Sequence, residues 1–182
     1  MEISMRLTLY TDFSLRILIY LGAKKHDELS TIQDISNAYG ISKNHLMKVS
    51  HELGKAGYIE TVRGRGGGIR LALPPEKINI GEVVRRMEDD FYLVECFNPA
   101  GGSCPISPVC GLKGVLGRAL QAYLQVLHEY TLQDLLINKD DLRAILQQQN
   151  GFRTPQTEDV PHPGCESHLP PAGRGTGEVL QE

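Results

Sequence analysis

Three cysteines, Cys96, Cys104 and Cys110, stand with seven and five residues between them. Thiolates are soft ligands for zinc and for iron–sulfur clusters, and they are redox-active, so this group is a candidate for metal or redox chemistry. Structural zinc sites usually take cysteines in pairs about two to four residues apart, and the wider gaps here speak against one. A loop bent by Gly101, Gly102, Pro105 and Pro108 can instead wrap a cluster. Spacing alone leaves a cluster, a zinc site, a thiol–disulfide switch and inert cysteines all open. A cubane cluster wants about four ligands, so a fourth must come from elsewhere, and composition does not say where. Cys165 stands far along the chain and is read as uninvolved.

A second group is basic. The 182-residue chain has a formal net charge of -3, but the charge is unevenly spread. Residues 151–182 hold two basic and five acidic side chains. Ser42 to Arg70 holds Lys43, Lys48, Lys55, Arg63, Arg65 and Arg70 against only Glu52 and Glu60, a local net of +4. Positive charge concentrated in one segment is what a phosphate backbone attracts.

The elements around these groups follow from periodicity and punctuation. Thr11 to Lys24 predicts a helix apolar on most faces, hence one buried between other elements. Ser30 with Gln33 predicts a capping box for a short helix that turns Ile32 and Ile35 inward and stops at Tyr39-Gly40. Ser42 is the predicted cap of the next helix, with Leu46, Val49 and Leu53 as its inner face. Two short helices joined by a glycine-containing turn make a helix-turn-helix. Ile59–Val62 and Ile69–Leu73 are β-prone runs joined by Arg63-Gly64-Arg65-Gly66-Gly67-Gly68, and read as a hairpin wing. Ile80–Met87 predicts a further helix, and Asp89–Cys110 is the cysteine loop. Leu112, Leu116, Leu120, Tyr123, Leu127 and Tyr130 form a heptad-like stripe on a long helix, the expected seam against a second helix. Thr131 with Asp134, then Asp140 or Asp141, are expected to cap two last short helices containing Leu135 and Ile145. The segment 151–182, with five prolines and five glycines, reads as a disordered tail.

The expected architecture is mainly α: a winged helix-turn-helix DNA-binding domain over residues 5–75, a connecting helix and cysteine loop over 76–110, a dimerisation helix with short C-terminal helices over 111–150, and the tail over 151–182. The residues expected to read DNA are Ser42, Lys43, Asn44, His45 and Lys48, at the start of the second helix, with Arg63, Arg65 and Arg70 on the wing. Asn44 can bond an adenine edge, Lys43 and Lys48 suit guanine or phosphate, and arginine suits a narrow A·T-rich minor groove. The glycine-rich turn lies between two strands and lacks dinucleotide spacing, so it is not a phosphate-cradling enzyme loop. No Ser/His/Asp set or paired-carboxylate motif is present, and an enzyme is not expected. No secretory signal or bilayer-length apolar run is visible, which points to the cytoplasm and to no membrane partner.

Met5 to Arg16 (MRLTLYTDFSLR), Gly40 to Lys48 (GISKNHLMK), Thr61 to Gly68 (TVRGRGGG) and Leu93 to Phe97 (LVECF) together resemble the Rrf-type iron–sulfur winged-helix regulators, over about Met5 to Leu136. The resemblance implies a homodimer held by the long helix, and an iron–sulfur cluster, 4Fe–4S or alternatively 2Fe–2S, on Cys96, Cys104 and Cys110. In the nitric-oxide-sensing branch a carboxylate from the other subunit's first helix can complete the cluster, and the matching residue is Asp12. Lys113 stands where the biogenesis regulators of the family carry a histidine ligand, which favours the nitric-oxide branch. The first cysteine gap is longer than is common among relatives. The implied function is a repressor on a palindromic, A·T-rich double-stranded operator, whose cluster controls DNA binding and whose target genes for nitric-oxide detoxification are expressed when nitric oxide arrives. The alternative is a zinc- or thiol-dependent, redox-responsive winged-helix repressor without a cluster.

Overall fold

The computed structural model describes residues 6–25, 28–100 and 103–151. The expected tail after Gly151, with Cys165, lies outside the described residues. Seven α-helices and one antiparallel hairpin appear among those described, in the order α1 (Leu9–Ala23), α2 (Ile32–Tyr39), α3 (Lys43–Lys55), β1 (Ile59–Val62), β2 (Gly68–Leu71), α4 (Ile80–Met87), α5 (Gly111–His128), α6 (Leu132–Leu135) and α7 (Lys139–Gly151). The cysteine loop joins α4 to α5.

Helix α1 is the centre of the molecule, in contact with α3, α4, α6, α7 and β2. Its apolar residues serve several neighbours at once, and Ile17, Leu18, Tyr20 and Leu21 are all buried. Thr8 is its N-cap, the hydroxyl accepting from the Thr11 N–H at 3.3 Å. The core runs on through Ile35, Leu46, Val49 and Leu53 of the helix-turn-helix to Val83 and Val84 of α4, Leu124 of α5, and Leu132, Leu136 and Leu146 beyond.

The cap of α2 is one residue later than the sequence suggests. Thr31, not Ser30, is the N-cap: its hydroxyl accepts from the Asp34 N–H at 3.1 Å, and the Asp34 carboxylate accepts from the Thr31 N–H at 2.8 Å. The reason is tertiary. The N–H and C=O of Ser30 are both bonded to Ile69, at 3.0 and 2.8 Å, so Ser30 is an extended residue lying against the wing. The hairpin pairs Ile59 with Leu71, Glu60 with Arg70, Thr61 with Ile69 and Val62 with Gly68. The wing is thus held on both sides, by its own strands and by Ser30.

Helix α5 also differs from its sequence pattern. Leu124 is the residue it buries, with Leu120 and Leu127 packed beside it, while Leu112, Val115, Tyr123 and Val126 are exposed, as is Tyr130 just beyond the helix. The stripe read from sequence therefore merges two adjacent faces, one turned to the core and one outward. Of the last two helices, α6 has the expected Thr131–Asp134 capping box, whereas Asp140 and Asp141 lie inside the first turn of α7 and do not precede it. Ile145 is exposed, and Leu146 is what α7 buries.

Candidate functional site

The first half of the site is the surface of α3 and the wing. Burying Leu46, Val49 and Leu53 turns Lys43, Asn44, Met47, Lys48 and His51 outward. Ser42 takes the expected N-cap position but makes no side-chain capping hydrogen bond, and is half-buried. His45 is half-buried too, its ring centroid 6.3 Å from that of Phe13 on α1, so this residue faces the protein as well as solvent. Sequence reasoning missed Met47, which is 46% exposed amid this polar surface. Its position off the inner stripe was the available signal, and an exposed apolar side chain there suits a thymine methyl group.

At the wing tip, Arg63 and Arg65 are exposed and make no ion pair among the described residues. The turn that carries them needs Gly64 and Gly66 at φ of 108° and 77°, backbone that glycine adopts without a Cβ clash. Arg70 differs: it lies within β2 and its Nε donates to the Glu60 carboxylate of β1. The structure therefore groups Lys43, Asn44 and Lys48 on one face, sets Arg63 and Arg65 at the wing tip, and ties Arg70 to the hairpin.

The second half is the cysteine loop. Cys96 sits in a 3₁₀ turn (Glu95–Phe97), and Cys110 takes the N-cap position of α5. All three cysteines of the loop are half-buried free thiols. The Glu95 carboxylate accepts from the Ser103 N–H at 2.8 Å and from its hydroxyl at 3.1 Å. That clamp brings the chain next to Cys96 back to the chain next to Cys104. An open groove of about 480 Å³, lined by Phe91, Tyr92, Phe97, Lys113, Gly117 and Leu120, leaves the Cys96 side of the loop loosely packed against α5. Among the described residues no three His, Cys, Asp or Glu side chains are grouped closely enough to hold a metal ion. The donor set is nonetheless of the right kind for an iron–sulfur cluster: three uncrosslinked thiols, partly accessible, on a loop closed on itself.

Asp12 is on the first turn of α1, half-exposed, its carboxylate 2.9 Å from the Arg16 guanidinium. Arg16 in turn lies over the Tyr39 ring, 5.8 Å from its centroid. Any ligand role for Asp12 must share or release that ion pair.

A helix-turn-helix with a hairpin against its second helix defines a winged-helix, DNA-binding regulator. Solved structures agree on the fold. The oxidised form of CymR from Staphylococcus aureus superposes with a TM-score of 0.58 at 26% identity, over 73% of this chain and 97% of that one. IscR of T. potens has a TM-score of 0.60 over 78% of this chain and 91% of that one, at 24% identity. The chain belongs to the Rrf2 family, described as iron-dependent transcriptional regulators, whose pattern matches residues 7–138. It is similar to the HTH-type transcriptional regulator NsrR of Bacillus licheniformis, 62% identical over 78% of this chain and 99% of that protein. The protein of the same name from Bacillus subtilis is also 62% identical, over 78% and 97%. These relatives are regulators of transcription and not enzymes. No helix among the described residues is long and apolar enough to cross a membrane.

Proposed function

We propose that the chain is a cytoplasmic, homodimeric repressor whose DNA binding is controlled by an iron–sulfur cluster sensitive to nitric oxide. The observation that carries this reading is the loop of three free thiols closed by Glu95 and Ser103, directly between α4 and α5, in a chain so similar to NsrR. Cys96, Cys104 and Cys110 would hold the cluster, 4Fe–4S in preference to 2Fe–2S, with Asp12 of the partner subunit as the fourth ligand. When bound, the cluster supplies iron with which nitric oxide reacts.

The chain's own residues do the rest. Lys43, Asn44 and Lys48 enter the major groove of a palindromic, A·T-rich operator, with Ser42 and His45 at its edge. Arg63 and Arg65 reach the minor groove, and Arg70 holds the wing's shape beside them. The outward apolar stripe of Leu112, Val115, Tyr123 and Val126 is the seam for the second copy, and the division into 5–75, 76–110 and 111–150 follows these roles. A labile oxygen ligand lent by the partner would link each cluster to the opposite DNA-reading half, so its loss lowers operator affinity and genes for nitric-oxide detoxification are expressed.

The test is anaerobic purification with iron and sulfide analysis and Mössbauer spectroscopy, then a gel shift on an operator selected from random-sequence DNA. Iron and sulfide in equal amounts, and a shift that nitric oxide abolishes, are expected. Equal DNA binding before and after nitric oxide refutes the sensor reading. A colourless, iron-free but DNA-competent protein would turn the reading toward a zinc- or thiol-dependent repressor.

A further inference from the structure

The start of α1 is joined to the start of the cysteine loop. The Thr8 N–H donates to Glu88 Oε1 at 2.9 Å, and the Thr8 hydroxyl approaches the same oxygen at 3.3 Å. Thr8 is the N-cap of α1, and Glu88 is the residue on which α4 ends and from which the chain departs toward Cys96. A carboxylate on the N–H groups of a helix start makes a charge-assisted bond and meets the positive end of the helix. Glu88 also faces α5: its charge, after burial, helps push the Tyr123 phenol up from its ordinary value. One carboxylate thus stands where α1, α4 and α5 meet.

The same turn of α1 grips the recognition helix. The Tyr10 hydroxyl donates to the carbonyl of Lys48 at 3.3 Å, in the middle of α3. The charges of Glu52 and Asp89 stand near the Tyr10 phenol. Asp89 is the first residue after Glu88, which sets the loop's beginning beside this contact. Three residues further along α1, Phe13 meets the ring of His45 near the start of α3. At about 1.5 Å of rise per residue, Thr8 and Tyr10 are only about 3 Å apart along the axis. Within so short a piece of helix, a shift at Thr8 arrives at Tyr10 almost undiminished.

We propose that Glu88 and Tyr10 are positioning residues that couple the cysteine loop to the recognition helix through the first turn of α1. Glu88 sets where α1 begins, and Tyr10 passes that position to Lys48 and so to the residues that face DNA. The coupling rests on the proposed function for its signal, but its components belong to the polypeptide alone. A simple capping role for Glu88 would change stability and leave the seating of α3 unaltered.

The test uses the full chain, with Glu88→Ala, Glu88→Gln, Tyr10→Phe and the Glu88→Ala/Tyr10→Phe pair, in iron-loaded and chelator-stripped forms. Affinity is read by fluorescence anisotropy on a duplex selected by the wild-type chain from random-sequence DNA. Each of Glu88→Ala and Tyr10→Phe should weaken binding about fivefold, a typical coupling between sites. The double variant should be no weaker than the weaker single, because both cut one path. Glu88→Gln keeps an oxygen that accepts from Thr8 and should stay within about twofold of wild type. Should the alanine chain fail to fold, Glu88→Asp, whose shorter arm pulls the carboxylate back from Thr8, replaces it with the same expectation. Additive losses in the double variant overturn the coupling. So does wild-type affinity in a Glu88→Ala chain whose Thr8 amide exchanges faster with solvent. If stripping iron changes nothing in the wild type, the cluster reading fails by itself, and the non-additivity still decides the coupling.

Discussion

Gly81 offers the most direct test of how the cysteine loop is anchored. It is the second residue of α4, and a Cβ there would lie 2.8 Å from both the Cα and the N of His128 on α5. Ordinary contact begins at 3.4 Å, so Gly81→Ala must push the α4 and α5 backbones apart by about 0.6 Å in a packed interior that resists such movement. The crossing is also zipped by hydrogen bonds: Asn79 Nδ2 to the His128 carbonyl at 2.7 Å, the Ile80 N–H to the Tyr130 carbonyl at 2.9 Å, and the Leu132 N–H to the Ile78 carbonyl at 2.8 Å. Overpacking costs about 1–3 kcal/mol and a stretched hydrogen bond about 1 kcal/mol, against a gain in helix propensity of at most about 1 kcal/mol. The net is about 2 kcal/mol of destabilisation, or a fall in Tm of about 4–8 °C for a chain of this size. Circular dichroism melts at fixed protein concentration measure it, with Gly54→Ala as control. Gly54 is an exposed residue near the end of α3, and its Cβ would meet only the Ile59 carbonyl oxygen at 3.9 Å, so alanine there should raise Tm slightly. A Gly81→Ala chain that melts with or above wild type would show that α4 and α5 separate freely, and that the close approach anchors nothing.

Three further outcomes are expected. Arg63→Ala and Arg65→Ala should each weaken operator binding and each reduce the slope of log affinity against log salt by about 1, as for the loss of one phosphate-facing cation; an unchanged slope would take the wing off the DNA. Arg143 donates from Nε at 3.1 Å and from Nη2 at 2.9 Å to the Ala23 carbonyl at the end of α1, so Arg143→Ala should cost about 1–2 kcal/mol in urea denaturation, without rescue by lysine. The Thr131 N–H, then its hydroxyl, hold the Asp134 carboxyl below its ordinary 3.8; its stabilising effect is therefore complete above that value and lost as pH falls through the lower folded value, and the Tm gap between wild type and Asp134→Ala should close in strong acid.

Much of the fold was legible because local and tertiary demands agree. Leu46, Val49 and Leu53 repeat at helical spacing and are among the residues α3 buries, so the direction of its outward basic face follows from the pattern. The wing was legible from glycines flanked by β-prone runs. Where expectation and structure differ, tertiary contact is the cause. Ser30 has the chemistry of an N-cap, but its backbone is claimed by Ile69, and the cap passes to Thr31. On α5 the spacing marked a continuous apolar arc without telling the face that meets α4 from the face left outward, because periodicity records polarity and not partner.

The site was legible to a different depth in each half. The basic residues were visible as charge, but charge alone could not distinguish Arg63 and Arg65 at the wing tip from Arg70 beside Glu60, since that depends on strand register. Likewise Asn44 and His45 are consecutive, yet only His45 turns back on Phe13. The cysteine spacing announced soft-ligand chemistry but could not show Glu95 closing the loop, because that clamp spans eight residues and uses a common surface side chain. Asp12 is the sharpest case. In the chain by itself its carboxylate is matched to Arg16, with Arg16 over Tyr39 at the end of α2. A carboxylate drawn to a metal would leave that guanidinium to find another partner, beside Tyr39 of the helix-turn-helix. The ion pair is therefore a component of any switch at this position, and removing Arg16 is as informative about it as removing Asp12.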